Sequence, residues 1–88
     1  MRLQWHEHKR LENLDKHKMD FADAVELFRG AHYTEYSPRR GEARWLSVGL
    51  INGLEYAAAW TRRGDAVHII SLRRARGEER RRYRDLFG

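Results

Sequence analysis

The chain has 88 residues, enough for one small domain around one hydrophobic core. Hydrophobic residues make up 41% and charged residues 35%; there is no cysteine, so disulfides and thiolate metal sites are excluded. The formal net charge is +5 and the pI about 10.1, which points to nucleic acid, an acidic protein or an anionic surface as partner.

Residues 1–6 contain no apolar run of signal-peptide length, and no stretch approaches the roughly 20 apolar residues of a membrane span, so a cytoplasmic protein is expected. Leu3 and Trp5 alternate with polar neighbours as a short first strand. Residues 7–18 have helical character, with Leu11 and Leu14 as the apolar stripe and His17 near the same face. Asp20 is a good N-cap for a second helix, in which Phe21, Ala24, Val25 and Phe28 recur at helical spacing until Gly30. Residues 32–36 suit an edge strand, and the stretch 37–41, with the only proline, is a loop.

Residues 43–50 form the next predicted strand, with Arg44, Leu46, Val48 and Leu50 on one face and Trp45 and Ser47 on the other. Asn52-Gly53 is a two-residue hairpin turn, because both residues accept positive φ. An alanine-rich strand over 54–61 follows, then a tight turn at Arg63-Gly64-Asp65. Residues 66–75 organise the rest. Val67, Ile69 and Ile70 are β-branched and apolar, the composition of a strand inside a sheet, while Ser71 and Arg73 share one face. The strand thus carries an arginine to the end of the sheet. Beyond Arg74 a short helix is expected, with Glu78 and Arg82 paired at i,i+4 and Tyr83, Leu86 and Phe87 to bury. The predicted class is α+β: a short first strand, two N-terminal helices packed on one face of an antiparallel β-meander, and a short C-terminal helix.

An ordered set of motifs resembles the BrnT family of type II toxin–antitoxin ribonuclease toxins. The set comprises Glu12-Asn13-Leu14 with Lys16-His17, Phe21-Ala22-Asp23-Ala24 with Phe28, Glu42-Ala43-Arg44 leading to Val48-Gly49, and Arg63-Gly64-Asp65. It ends with Ile69-Ile70-Ser71-Leu72-Arg73-Arg74-Ala75, then Glu79 and Tyr83. The chain departs from the family at His6, where Asp is usual, at His68, where Arg is frequent, and at Leu72 and Gly77. The resemblance implies a RelE-like fold, RNA cleavage that needs no metal or other cofactor, and arrest of translation. It also implies an antitoxin partner of ribbon-helix-helix type in a heterotetramer, with operator DNA bound only through that antitoxin and no membrane partner.

Metal-free cleavage needs cations for the developing phosphorane charge and groups that move protons. Arg44 and Arg73 are the candidate cations; Arg44 has the alternative of an ion pair with Glu42 or Glu55, and Arg73 that of solubility alone. His17 is a candidate acid or base, or a partner of its helix dipole, and Glu79 a candidate orienter of an arginine. Arg74, Trp45, His68 and Arg80 are candidate RNA contacts, His68 with the alternative of a half-buried strand histidine. His6-Glu7-His8 cannot place three side chains on one helical face and is no metal site. The same arginines and aromatics would also serve a non-catalytic nucleic-acid-binding module, or a domain that docks an acidic protein.

Overall fold

Asn52 and Gly53 take φ of 52° and 80°, and this turn joins β3 (Trp45–Ile51) to β4 (Leu54–Arg63). Gly64, at φ 61°, turns the chain into β5 (Ala66–Arg74). The computed structural model describes all of residues 1–88 and adds two outer strands to this meander, β1 (Arg2–Gln4) and β2 (His32–Tyr36). The sheet order is β1-β5-β4-β3-β2; every pairing is antiparallel except β1 with β5. Three helices complete the α+β fold: α1 (Glu7–His17), α2 (Ala24–Arg29) and α3 (Gly77–Phe87). A 3₁₀ turn at Phe21–Asp23, capped by the Asp20 carboxylate accepting from Ala22 N, leads into α2.

The arrangement differs from the expected meander in three ways. The sheet is mixed, because β1 joins it parallel to β5. The predicted second helix is divided, its first turn being 3₁₀. The helices also cover both faces of the sheet instead of one. On one face Phe21, Ala24 and Leu27 pack against Ile51, Ala58, Trp60, Val67, Ile69 and Leu72. On the other, Tyr83 of α3 packs against Tyr33, Val48 and Ala57, with Ala75 at the join. The reason lies in β3 and β4, which put apolar side chains on both faces, so both need cover. Contact is tight under α2: a Cβ on Gly49 would meet the Leu27 side chain and carbonyl oxygen at 3.1 Å.

Two local devices position the candidate site residues. The first is a β-bulge. Ala59 pairs with Ser71 but Trp60 pairs with Ile69, so Ile70 has no partner on β4. The extra residue shifts the alternation of β5. Val67, Ile69 and Leu72 all enter the core under α1 and α2, while Ile70, Ser71 and Arg73 face the opposite side.

The second device is Asn13. Strand β1 covers the edge of β5 only at Ala66, Val67 and His68, leaving the edge beyond them open. There the Asn13 side-chain amide imitates a strand: Nδ2 donates to Leu72 O at 2.8 Å, and Leu72 N donates to Oδ1 at 3.0 Å. Nδ2 also donates to Met19 O at 3.0 Å, tying α1 to the turn that follows it. Asn13 is the one buried residue of α1, whereas Leu11 and Leu14, expected as its buried stripe, are both exposed.

Candidate active site

Helix α3 covers only part of its face of the sheet. Beside its N-terminus lies an open cleft of about 290 Å³, floored by Leu46, Ala59, Ile70 and Ser71. Four arginines reach it: Arg39 and Arg44 from the loop before β3, Arg73 from the end of β5, and Arg76 from the N-cap of α3. Ser37 and Glu79 complete the polar wall.

Arg73 is held hard. Its Nη1 and Nη2 donate to Glu79 Oε1 and Oε2 at 2.9 and 3.1 Å, a bidentate pair that leaves the guanidinium little freedom. Glu79 is fixed in turn: its carboxylate accepts Arg76 N at 2.7 Å, closing the capping box of α3. Burial pushes the Glu79 carboxyl up, but Arg73 and the Arg76 N–H outweigh it and hold the group below the usual carboxylate range. A carboxylate held ionised in this way is a poor proton acceptor at neutral pH and a good anchor for a cation. Arg44 lines the same cleft, with its Nε donating to Glu42 Oε1 at 2.7 Å. The hydrogen bond from Arg44 is the main cause of a Glu42 carboxyl also held low.

Such a cleft offers several guanidinium groups to a phosphate, with hydroxyls alongside, on a rigid floor. The family comparison agrees with this chemistry: the model for the ribonuclease toxin, BrnT, of type II toxin–antitoxin systems matches residues 5–79. The chain belongs to the BrnT family. It is a ribonuclease toxin with RNA as substrate and an antitoxin as partner. A comparison with curated proteins gave no match. Every residue lining the BrnT cleft falls within the matched segment.

Of the candidate residues, the fold brings Arg44, Arg73 and Glu79 together in the cleft. Trp45 borders it, but its ring stacks on Trp60 at 5.0 Å, on the face of the sheet that α2 covers. Arg74 points away, with Nη1 donating to Glu55 O at 2.5 Å and the guanidinium over the Tyr56 ring. Arg80 donates to Ala75 O at 2.6 Å, outside the cleft lining. His17, at the C-terminal end of α1, is half-buried outside the lining. His68 lies farther back along β5, 6% exposed, with its ring edge-on to His6 at 5.0 Å.

Arg39 and Arg76 are cleft residues that the sequence reading missed. Arg39 lies in the loop after β2, where periodicity carries no signal. Arg76 stands two residues after the organising strand, and the one sign of its position is Glu79, three residues on, at capping-box spacing. No three His, Cys, Asp or Glu side chains converge as metal ligands; His8 and Glu7 instead pair with Glu12 and Arg10 along α1.

His17 and His68 should make stability depend on pH. Burial lowers both, assisted by Lys16 and Arg73 at His17, and by Arg63 and His6 at His68, where Glu42 opposes. Each therefore binds a proton more readily in the unfolded chain, whose ordinary value is 6.5. Stability is full above that value and falls as pH drops below it. Urea midpoints taken from pH 7.5 to 5.5 should decline, and His68→Gln should flatten the decline. A flat wild-type profile would contradict the placement of both rings.

Proposed function

We propose that this toxin cuts RNA without a metal, with Arg44 and Arg73 stabilising charge on the phosphorane. The observation that carries the reading is that Arg44 and Arg73 line one cleft, Arg73 held there by the Glu79 carboxylate. The 2′-hydroxyl loses its proton to water as it attacks the adjacent phosphate, the O2′–P bond forms as the P–O5′ bond breaks, and the leaving 5′-oxygen takes up a proton from water. The products are a 2′,3′-cyclic phosphate and a 5′-hydroxyl. Glu79 positions Arg73 and does not itself accept a proton. Because His17 stands outside the cleft lining, proton transfer is left to water held by the cleft's hydroxyls.

In this reading the 88 residues act as one toxin domain of RelE-like type in the cytoplasm, and the cleavage arrests translation. The antitoxin, of ribbon-helix-helix type, covers the cleft in a heterotetramer, and operator DNA is bound only through it. What supports this is the BrnT membership together with a cleft whose free valence is positive, suited to either RNA or an acidic antitoxin segment. The test is to incubate the purified chain with mixed-sequence RNA, with and without a chelator, beside Arg73→Ala. Chelator-resistant cleavage, lost in the folded variant, is expected. RNA that is bound but left intact would contradict the proposal for the isolated toxin.

A further inference from the structure

The two cleft arginines are not held alike. Arg73 and Glu79 are 20% and 12% exposed and locked by two hydrogen bonds and a helix cap. Arg44 and Glu42 are 33% and 42% exposed and joined by one hydrogen bond. In the first pair the carboxylate is part of the framework. In the second it takes one donor, Nε, that a phosphate could use, and its exposure gives it room to move.

A second berth for that carboxylate lies next to it. Thr61 Oγ1 donates to Ala43 O at 2.6 Å, which lays the 42–44 segment over β4 where Thr61 pairs with His68. Arg63 follows Thr61 on the same face of β4, by alternation. His68 is buried there, with Nδ1 lacking any hydrogen-bond partner, and His6 closes over it edge-on. An orphaned buried ring nitrogen is uncommon and marks a place where a polar partner can be received. The Glu42 charge is felt at His68 and that of Arg63 at Glu42, so the three groups already lie within electrostatic reach.

We infer that Glu42 is a latch: it fills the Arg44 phosphate subsite in the free toxin, and an RNA phosphate displaces it toward Arg63 and the His6–His68 pair. The inference rests on the RNA-cleaving reading above and adds to it a phosphate subsite and the residue that guards it. Arg44 then never stands without a counter-charge, and an anion must compete with Glu42 for Nε. A phosphate with two oxygens to offer wins over a carboxylate that has another cation nearby.

The test is binding of a 2′-O-methyl RNA oligomer, which cannot be cut by 2′-hydroxyl attack, followed by fluorescence anisotropy at one fixed salt concentration. Glu42→Gln should bind about 5- to 10-fold tighter than wild type. Glu12→Gln, which removes the same charge from the far surface of α1, should change affinity less than about 2-fold. The decisive comparison is the double variant. In an Arg44→Ala background the gain from Glu42→Gln should disappear, because nothing is left to unlatch. A gain that persists there would mean a general charge effect and would overturn the latch. NMR titration of the His68 ring adds a second readout: its pKa should rise when the oligomer binds and Glu42 swings toward it, and an unchanged pKa would remove the second berth. Wild type that cuts RNA while Glu42→Gln binds no tighter would sink the latch alone. Wild type that binds no RNA would sink the latch and the RNA-cleaving reading together.

Discussion

Arg44→Ala should lower single-turnover RNA cleavage by about 10²–10³-fold while leaving the fold intact. The magnitude is that of removing one preorganised donor aimed at developing charge. The fold should tolerate the change because Arg44 lies just before β3 and its one side-chain partner, Glu42, is half exposed. An exposed pair of this kind contributes about 0–1 kcal/mol, so the melting temperature should move by only a few degrees. Binding of an uncut RNA analogue should fall far less than the rate, since Arg39, Arg73 and Arg76 still line the cleft. Arg44→Lys should recover only part of the activity, because a point charge does not reproduce the planar fork. Equal losses in rate and in binding would make Arg44 a general phosphate contact and not a group specific to the transition state.

The largest effect on stability is expected from Asn13→Ala, at about 2–4 kcal/mol. The substitution removes the amide that satisfies Leu72 N and Leu72 O, both buried, and each unsatisfied buried group costs about 1–3 kcal/mol. Asn13→Asp should be nearly as damaging. Its carboxylate still accepts from Leu72 N, but it sets a negative charge against the carbonyl oxygens of Leu72 and Met19. Chemical denaturation of the two variants measures this directly. The functional consequence follows from the next residue along. Arg73 adjoins Leu72, so a frayed β5 edge loosens the cation from its place over the cleft. Asn13→Ala should therefore lose cleavage as well, even at a temperature where most of the chain remains folded. A variant of wild-type stability would mean that the β5 edge needs no cover.

Asn13 also marks where sequence reading stops. Hydrophobic spacing in α1 assigns the buried face to Leu11 and Leu14. The residue that is buried is polar, and its reason is a strand edge 59 positions away. Periodicity within a helix cannot report that. The strands were more legible. Asn52-Gly53 and Gly64 fixed the turns by backbone chemistry, and the alternation along 43–50 correctly set Arg44 and Trp45 on opposite faces.

The bulge at Ile70 is the instructive intermediate case. Ile69 and Ile70 have the same chemistry, and the sequence offers no reason to treat them differently. One enters the core and the other floors the cleft because the pairing with β4 skips a residue. That skip lets Val67, Ile69 and Leu72 share one face while Ser71 and Arg73 share the other. For the site, residue type pointed to Arg44, Arg73 and Glu79, and these three line the cleft. For Trp45 and Arg74 residue type leaves the face open: the Trp45 ring stacks on Trp60, and the Arg74 guanidinium lies over the Tyr56 ring.

The central claim is that arginines, and no metal, stabilise the charge of 2′-hydroxyl attack in this cleft. It is tested most directly by the chemistry of the ends. Cleavage of a defined RNA in excess chelator, followed by mass analysis, should give fragments with 2′,3′-cyclic phosphate and 5′-hydroxyl termini. A single 2′-deoxy nucleotide on the 5′ side of the cut should abolish that cut. Fragments with 5′-phosphate ends, or a cut that survives the deoxy substitution, would mean that another nucleophile attacks and would contradict the account.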